Sequence, residues 1–285
     1  MKVLVTGSSG NVGRYTVREL AGAGHEVTAL DRVLPGRSER EPGVKGYPCD
    51  LADYGEVADL VGQVRPEAVC HLAALPAPNV ASRTRIFNNN VSSTFHVLQA
   101  AGEFGVRRFI YASSEMAAGW PASGVLPPEI PFTEEHRRDS RFAYALSKYL
   151  GEVMADSSIL RYPEMAICSL RINRVLLPDR YAEFLPQMED LDSSAGFNYW
   201  SYVDVRDVAT AFRAALEGHS EGHEVFNVAA ADSFLDRPVA EAIEIRYGEK
   251  PNLRPDHGPN DSCVDCSRMK RFFGWEPRHS WREAE

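Results

Sequence analysis

The stretch KVLVTGSSGNVG, residues 2–13, decides how the start of this chain folds. Its apolar run VLV is typical of a buried parallel strand, and a helical pattern follows it. Between the two lie Gly7, Gly10 and Gly13 with the spacing GxxGxxG. A strand that turns through glycines into a helix brings unpaired N–H groups and the positive end of a helix dipole to one point, and that point attracts a phosphate. The stretch therefore predicts a dinucleotide site.

The three glycines have separate expected tasks at such a site. Gly7 allows the tight turn, Gly10 allows a pyrophosphate to approach the backbone, and Gly13 allows helix and strand to pack closely. Asn11 and Val12 open the helix beside them and are included in the predicted cofactor site.

Composition and charge exclude several other classes of protein. The 285 residues fit one large α/β domain, or a main domain with a smaller lobe. The net charge of −9 offers no basic face for nucleic acid, and no apolar run approaches the roughly 18 residues of a membrane span. Because the N-terminus enters the first strand directly, we expect no signal peptide, a cytoplasmic location and five free thiols.

Cys263 and Cys266 form a CxxC pair. A zinc site would need two further ligands, for which His257 and His279 are the nearby candidates, and a redox pair would need a thioredoxin-like unit. We therefore expect two incidental thiols and no metal.

Strand and helix patterns alternate through the first 172 residues. Repeated βαβ units of this kind predict a Rossmann-like doubly wound parallel sheet, with helices on both faces and ligands at the carboxyl ends of the strands. After the first strand and helix, strands are predicted at 25–30, 46–49, 68–72, 108–112 and 165–171, and helices at 54–64, 81–104 and 141–160.

The sequence predicts a dinucleotide-binding domain over 1–172 and a part, 173–285, that forms mostly a small substrate-binding lobe, with the chain crossing between the two. Segment 119–135 contains four prolines and is expected to be an irregular loop where a substrate cover would lie. Segment 173–197 is also expected to be irregular. Beyond it we predict helices at 205–217, 237–247 and 267–273, and a strand at 224–228.

Two acidic residues follow strands on the side predicted for the cofactor. Asp31 closes the second strand, where a carboxylate accepts from the adenosine ribose hydroxyls and repels a 2′-phosphate, which favours NAD over NADP. Arg32 could tolerate that phosphate, and Asp31 could instead cap a turn. Asp50 with Leu51 could hold the adenine, or Asp50 could be a helix N-cap.

The segment HLAA, residues 71–74, ends the fourth strand. After Leu72, the small side chains of Ala73 and Ala74 would let the cofactor backbone lie across the sheet edge. His71 itself is interpreted as a packed strand histidine rather than a catalyst.

Tyr144 and Lys148 share one face of a predicted helix because they are four residues apart. A phenol with a pKa of about 10 is a poor base at neutral pH, and a nearby ammonium favours the phenolate. Lys148 could also bond the nicotinamide ribose. Ser114 follows the fifth strand and could hold the substrate oxygen that Tyr144 protonates, or it could be an N-cap or turn serine.

Taken in this order, the motifs resemble the extended short-chain dehydrogenase/reductase family of NAD-dependent epimerases and dehydratases. Three further segments are similar to that family: NNNVSST at 88–94, YVDVRDVA at 202–209 and the ending at 265–277. The resemblance implies that Ser114, Tyr144 and Lys148 form the catalytic triad with Tyr144 as acid/base.

The resemblance carries two further expectations. Asn90 in the first of those segments would help to order the cofactor site. The family often dimerises through its two long helices, here 81–104 and 141–160, so a homodimer is expected.

The chain departs from the family around the predicted substrate. Dehydratases place Asp and then Glu after the triad serine or threonine, whereas this chain has Glu115 and Met116. Arg174 lies where nucleotide-sugar epimerases supply an asparagine, and LLP at 176–178 replaces their usual YGP. The chain is also short for a nucleotide-sugar enzyme. These departures favour a smaller substrate, as in the uronate and free-sugar dehydrogenases of the family.

We therefore expect an NAD-dependent oxidoreductase that moves hydride between the nicotinamide and a carbinol carbon of a sugar or sugar acid. The alternatives are a nucleotide-sugar epimerase with tightly bound NAD and a non-catalytic nucleotide-binding regulator. Arg174 could clamp a substrate carboxylate or phosphate, or pair with Asp204 or Asp207. The substrate-binding residues are predicted to be Ser114, Glu115, Tyr144 and Arg174. Trp120 and Trp200 could stack on the sugar or belong to the core.

Overall fold

The centre of the fold is a seven-stranded sheet in which every pair of neighbouring strands is parallel, in the order β3-β2-β1-β4-β5-β6-β9. A second, two-stranded parallel sheet pairs β7 with β8. The structure is a computed structural model and describes residues 1–77, 80–119, 125–135, 140 and 142–283. The strands are β1 Lys2–Thr6, β2 Glu26–Asp31, β3 Lys45–Pro48, β4 Ala68–His71, β5 Arg108–Ser114, β6 Ala166–Ile172, β7 Arg174–Leu176, β8 Tyr202–Asp204 and β9 His223–Val228.

Helices cover both faces of the seven-stranded sheet, as the βαβ pattern predicts. One face packs against α1, α7 and α9, and the other against α2, α3 and α4. The alternation of β1 shows why: Val3 and Val5 enter the first core and Leu4 enters the second. The helices are α1 Asn11–Gly22, α2 Tyr54–Val64, α3 Arg83–Glu103, α4 Ala143–Arg161, α5 Tyr181–Phe184, α6 Pro186–Glu189, α7 Val205–Glu217, α8 Val239–Tyr247 and α9 Ser267–Phe273.

The strand order reverses beside β1, which pairs with β2 on one side and β4 on the other. The connections after β1 and β4 leave toward opposite faces, so a crevice opens at the carboxyl ends of these strands. The predicted doubly wound Rossmann-like architecture is therefore confirmed. None of the described helices is both long and apolar enough to cross a membrane.

A third hydrophobic core lies apart from the sheet and is built largely from the C-terminal part of the chain; we call it the lobe core. Ile130 and Phe132 enter it from the segment predicted to be an irregular loop, through single β-bridges to Leu253 and Val264. Trp200 is also part of the lobe core and does not line the cavity described below. Trp120, the other tryptophan considered for stacking, lies outside the described residues.

The chain passes back to the main sheet after residue 204. Helix α7 packs on the first core, and β9 adds the outermost strand beside β6. The segment 205–228 therefore belongs to the domain built on the main sheet. In sequence it lies in the part predicted to form mostly the substrate lobe.

Candidate active site

A cavity of about 880 Å³ lies at the carboxyl ends of the strands, where the fold predicts a ligand. Its walls include the loops after β1, β2, β3, β4, β5 and β6. Of the predicted site residues, it is lined by Gly7, Gly10, Asn11, Val12, Gly13, Asp31, Arg32, Asp50, Leu51, Leu72, Ala73, Ala74, Ser114, Glu115, Tyr144, Lys148 and Arg174.

At two positions of the glycine turn the surrounding backbone leaves no room for any residue other than glycine. Gly7 has φ 69°, and a Cβ there would lie 2.6 Å from the backbone nitrogen of Ala73. A Cβ on Gly13 would lie 2.1 Å from the carbonyl oxygen of Gly7, so this glycine closes α1 onto the turn. Gly10 lines the cavity and, because it has no side chain, offers a backbone surface that a pyrophosphate could approach.

Asp31 stands at the end of β2 beside the same turn. Its Oδ2 accepts a 2.9 Å hydrogen bond from the backbone N–H of Ser9, which holds the carboxylate at the cavity wall. Arg32 lines the cavity next to it. The N-cap of α2 is Asp53, whose side chain accepts from the N–H of Glu56. Asp50 is therefore not that helix cap and instead accepts from the N–H two residues ahead, within its own turn.

His71 is fully buried at the end of β4 and does not line the cavity. Its Nδ1 lies 2.8 Å from Thr6 Oγ1 and its Nε2 lies 3.1 Å from Thr94 Oγ1. Burial, with a smaller contribution from the charge of Lys148, lowers the pKa of His71 to about 3. The imidazole is therefore neutral at physiological pH and serves to join β1, β4 and α3.

Asn90 is the predicted cofactor residue that lies behind the cavity wall rather than in it. Its Oδ1 accepts from the N–H of Leu75, and its Nδ2 donates to Leu75 O and to Ser147 Oγ. These bonds fix the segment after β4 against α3 and α4. Its neighbour Asn89, which the sequence analysis did not select, does line the cavity.

Ser114, Tyr144 and Lys148 all line the cavity. Ser114 is the last residue of β5, and the other two lie one turn apart on the inner face of α4. Lys148 Nζ donates to the carbonyl oxygen of Ala112 at 2.6 Å and lies 5.9 Å from the centre of the Tyr144 ring. Burial lowers the pKa of Lys148 to about 8.

The pKa of the Tyr144 phenol lies well above its ordinary value. Burial is the main cause, and the charge of Glu115 is the second. A side-chain hydrogen bond with Ser114 acts in the opposite direction. In this state of the protein Tyr144 is a neutral phenol, so it must lose a proton before it can act as a base.

Glu115 follows Ser114 directly and is buried at the cavity wall. Ser114 Oγ donates to Glu115 Oε2 at 2.8 Å and accepts from the N–H of Met116 at 3.2 Å. Burial raises the pKa of Glu115 to about 7, although the bond from Ser114 and the charge of Arg174 both oppose this rise.

Arg174 begins β7 and lines the cavity. Its Nη1 donates to Gln187 Oε1 at 2.7 Å. The expectation that it could pair with Asp204 or Asp207 is wrong, because Asp204 pairs with Arg206 and Asp207 accepts from residues 278 and 279.

Several residues that line the cavity were not predicted from the sequence. Asn173 separates β6 from β7, and its Oδ1 is buried with no partner among the described residues. Arg180 and Phe184, from the segment expected to be irregular, line the same cavity. The position of Asn173 directly after the sixth strand was an available signal, whereas nothing in the local pattern places the other two.

A buried ion pair lies beneath the triad. Arg171 on β6 donates through Nε and Nη2 to the two carboxylate oxygens of Glu152 on α4, each at 2.9 Å. Ser113 Oγ adds a 2.7 Å bond to the same carboxylate. Because Glu152 lies one turn after Lys148, this pair fixes the helix that carries Tyr144 and Lys148.

The two cysteines of the CxxC motif both pack in or against the lobe core. The Sγ of Cys266 donates to the carbonyl oxygen of Ala229 at 3.8 Å. All five cysteines are free thiols. Within the part of the chain that the structure describes, no group of three or more His, Cys, Asp or Glu is arranged to hold a metal ion.

Fold and site together define a doubly wound nucleotide-binding protein with a Ser–Tyr–Lys group at its strand ends. Residues 3–229 match the model of the NAD dependent epimerase/dehydratase family, and the chain belongs to that family. The identification as an extended short-chain dehydrogenase/reductase, and so as an NAD-dependent enzyme, is thereby confirmed.

The chain is similar along nearly its whole length to UDP-glucose 4-epimerases. It is 27% identical to the enzyme of Lactobacillus helveticus over 314 aligned positions, which cover 98% of this chain and 93% of that one. It is also 27% identical to the enzyme of Bacillus subtilis, with coverage of 99% and 94%.

Solved structures give the same picture. A UDP-glucose 4-epimerase from Thermotoga maritima, crystallised with UDP-glucose, has a TM-score of 0.76 and 25% identity, with coverage of 100% and 96%. A UDP-glucose 4-epimerase from Thermus thermophilus in complex with NAD shares the fold, with a TM-score of 0.73, 24% identity and the same coverage. These relatives support the nucleotide-sugar epimerase alternative better than the sugar dehydrogenase predicted from the sequence.

Proposed function

We propose that this chain is a nucleotide-sugar epimerase that keeps NAD bound while hydride leaves and returns to one carbinol carbon of the sugar. One observation carries this proposal: a single cavity is lined by the glycine turn and Asp31, by Ser114, Tyr144 and Lys148, and by Arg174. We assign the part beside the glycine turn to the dinucleotide and the part beside Arg174 to the substrate. The similarity to UDP-glucose 4-epimerases over 98% of the chain supports it.

The dinucleotide half fits the cofactor. Gly7 and Gly13 bring the start of α1 close to the sheet edge, and Asn11, Val12 and Gly13 of its first turn line the cavity. The first N–H groups of a helix have no partner within the helix and suit a phosphate. Asp31 presents a carboxylate to the adenosine ribose and opposes the 2′-phosphate of NADP. Asp50 and the apolar residues after β4 would line the adenine and the cofactor backbone.

The reacting groups would act in the following way. When bound, NAD supplies the acceptor and donor of hydride. Tyr144 takes the proton of the sugar hydroxyl as hydride leaves and returns it afterwards, and Ser114 orients the same oxygen. Lys148 holds its ammonium under the Tyr144 ring and would bond the nicotinamide ribose.

The substrate half favours a nucleotide-linked sugar because it offers cations to an anionic group. Arg174 lines its wall, and Arg180 lies at its rim with a partner carboxylate on Glu183. Guanidinium groups bind phosphate oxygens with two parallel hydrogen bonds, so a diphosphate suits this end. The unpartnered, buried Oδ1 of Asn173 would accept from a ligand donor.

Net oxidation of a sugar acid is the second candidate, and Arg174 is the observation that favours it. A single guanidinium can clamp a carboxylate as well as a phosphate. This activity would release reduced cofactor, whereas the epimerase would not.

One experiment separates the candidates. The NAD-loaded protein is incubated with UDP-sugars, free sugars, uronates and sugar phosphates, and both NADH absorbance and sugar products are followed. Epimeric products from a UDP-sugar without net NADH support the proposal. NADH accumulation with a free sugar or uronate supports the dehydrogenase instead. Retained NAD without any turnover would indicate the regulator.

The Tyr144→Phe variant is the matched control in this experiment. It removes the exchangeable hydroxyl and keeps the ring, so it should bind NAD yet lose about 10²–10⁴-fold in turnover. A Phe variant with full activity would show that Tyr144 is not the acid/base. Testing NADP beside NAD checks Asp31, since a preference for NADP would contradict its proposed role.

We further propose a homodimer formed through α3 and α4. Both helices carry large apolar side chains on the outside of the protein, namely Phe95 on α3 and Val153 and Leu160 on α4. The cytoplasmic location stays a prediction from the sequence.

A further inference from the structure

The chain that follows β7 forms part of the cavity wall over residues 177–184, and we call this stretch the cover segment. It consists of a short 3₁₀ turn, Pro178–Arg180, and the single turn of helix α5. Leu177, Arg180 and Phe184 line the cavity. A helix of one turn does not hold itself in water, because its few hydrogen bonds do not offset the entropy lost when the chain is ordered. The position of the cover segment must therefore be fixed by contacts with the rest of the protein.

Tyr181, the first residue of α5, makes a polar contact that ties the cover segment to another element. Its ring is buried in the lobe core, and its hydroxyl donates to Oδ2 of Asp204. The ion pair of Arg180 with Glu183 is exposed and lies within the segment, so it attaches the segment to nothing else. Apolar packing of Tyr181 and Phe184 against the lobe core is not directional, whereas the hydrogen bond fixes one orientation of α5.

Asp204 is a firm attachment point because it is fully buried and is held by its own neighbours. It ends β8 and is the N-cap of α7. Its Oδ1 accepts from the N–H and the Nε of Arg206, at 2.7 and 2.8 Å, and its Oδ2 accepts from Nη2 at 2.9 Å. In the pairing of β8 with β7, Asp204 lies opposite Leu176, the residue just before the cover segment. The carboxylate is thus fixed beside the start of that segment by bonds that do not depend on it.

Both groups keep the protonation state that their bond requires. Burial raises the pKa of the Tyr181 phenol well above its ordinary value, and the bond to Asp204 adds to the rise. Burial on its own would raise the pKa of Asp204, but the hydrogen bonds from Arg206 and Tyr181 hold it below its ordinary value. At neutral pH a phenol therefore donates to an ionised carboxylate, and hydrogen bonds to charged acceptors are the stronger kind.

We propose that the hydrogen bond from Tyr181 to Asp204 is a latch that holds the cover segment, and with it Arg180 and Phe184, at the substrate part of the cavity. Neither Tyr181 nor Asp204 lines the cavity, so both are positioning residues for substrate binding. The latch presents a guanidinium and an aromatic ring, which suit the phosphates and the ring systems of a nucleotide-sugar. This inference rests on the proposed function, because it assigns the cover segment to that substrate.

The latch acts on the substrate and not on the cofactor. The glycine turn and Asp31 lie at the ends of β1 and β2, whereas the latch attaches to β7 and β8, which form a separate sheet. Loss of the latch therefore lowers the fraction of molecules in which the cover segment is in place, and leaves the dinucleotide part intact. The apparent affinity for substrate falls by that fraction, while the reacting groups stay unchanged in the molecules that bind.

The test is Tyr181→Phe, which keeps the buried ring and removes the hydroxyl. In the NAD-loaded enzyme the KM for a UDP-sugar should rise at least about fivefold, because a hydrogen bond to a charged group is lost. The kcat and the amount of retained NAD should stay within about twofold of wild type. A wild-type KM in this variant would overturn the latch.

Tyr247→Phe is the matched control. This phenol also packs against the lobe core, but its hydroxyl donates to the carbonyl oxygen of Gly196 at 2.9 Å, and neither residue lines the cavity. The variant loses one hydroxyl without touching the cover segment, so its KM should equal that of wild type. An equal rise of KM in both variants would indicate a general loosening of the lobe and would contradict a specific latch.

Asp204→Asn tests the other partner of the bond. It keeps the size of the side chain and removes the charge that strengthens the bond. Because both substitutions act on one bond, Tyr181→Phe should raise KM by a smaller factor in the Asp204→Asn background than in the wild-type protein. Equal factors in the two backgrounds would show that the residues act independently. Should the change at the α7 cap unfold the protein, the two tyrosine variants decide the question alone.

Amide hydrogen exchange tests the latch without any turnover. In the NAD-loaded protein without sugar, Tyr181→Phe should speed exchange over residues 177–184 by about tenfold or more and leave the glycine turn unchanged. Wild-type exchange rates over the cover segment would overturn the latch. Faster exchange in a protein that turns over no nucleotide-sugar would support the latch and contradict only the proposed function.

Discussion

Arg171 and Glu152 form an ion pair in which both side chains are completely buried, with two parallel hydrogen bonds of 2.9 Å. The pair joins β6 to α4 one helical turn beyond Lys148. Two charges removed from water in this way stabilise a fold only while both are present, because a lone buried charge is costly. This relationship explains how the helix that carries Tyr144 is held at a fixed distance from the sheet.

Glu152→Gln should destabilise the protein by about 3–5 kcal/mol, because it leaves the Arg171 guanidinium buried without a counter-charge. Urea unfolding of the purified variant measures the change. The control is Glu164→Gln, which removes the partner of Arg107 in an exposed pair and should leave stability nearly unchanged. Equal small effects in both variants would contradict the structural role given to the buried pair.

Gly13→Ala should weaken NAD binding and lower stability together. The new Cβ would lie 2.1 Å from the carbonyl oxygen of Gly7, so α1 must shift away from the turn. Gly22 lies on the same helix, and a Cβ added there would have no atom within 4 Å. Gly22→Ala should therefore raise the free energy of unfolding by about 0.4–1 kcal/mol. Thermal unfolding and retained cofactor, measured for both variants, check the contrast. A fully NAD-loaded Gly13→Ala protein would show that the turn tolerates a side chain.

Lys148→Met should raise stability at neutral pH while it removes turnover. Burial lowers the pKa of Lys148 to about 8, below its ordinary value, so the unfolded chain holds this proton more tightly than the folded one. The buried ammonium therefore costs stability below pH 8, and this cost fades as the pH rises toward the unfolded value.

The expected net gain for this variant at pH 7 is about 1–2 kcal/mol, because part of the relief is offset by losing the bond to Ala112. The variant's advantage in Tm should shrink between pH 8 and about pH 10. Lys45→Met, at an exposed site, serves as the control and should show no such pH trend. A lower Tm for Lys148→Met at pH 7 would argue that the ammonium stabilises the fold.

Leu160→Glu should shift the protein toward the monomer if α3 and α4 form the dimer interface. Leu160 is 85% exposed in the single chain, and a carboxylate there could not be buried against a second copy. Sedimentation of wild type and variant at matched concentrations measures the outcome. Ile245→Glu, an exposed apolar side chain on α8, is the control and should not alter the oligomeric state. A monomeric wild type would disprove the proposed dimer.

Much of the sheet was predictable because its strands and helices carry strong local patterns. Helices predicted at 54–64, 205–217 and 267–273 have those bounds in the structure, and the other elements of the sheet differ by a few residues at their ends. β5 runs two residues further than predicted, which places Ser114 at the last strand position instead of after it. The glycine turn was predictable because glycine marks positions where the backbone needs a conformation or a close contact that a side chain would prevent.

The substrate half could not be inferred in the same way. β7 and β8 have three residues each, too few to show a period, and they pair with one another from distant parts of the chain. Burial of Glu115 depends on the packing of α4 and β6 against the turn that it begins, so its altered acidity has no local signature. The sequence left open whether Trp200 stacks on the sugar or belongs to the core, and the lobe core encloses it.

The position of β9 has a consequence for biosynthesis. β6 is an inner strand of the finished sheet only because β9, residues 223–228, pairs along its edge. While the ribosome is still making the intervening chain, the edge of β6 is open, and the residues of this strand are almost entirely apolar on one face. Until β9 emerges, the nascent protein exposes an unpaired strand edge that can pair with another chain. Slow translation between β6 and β9 would therefore favour aggregation.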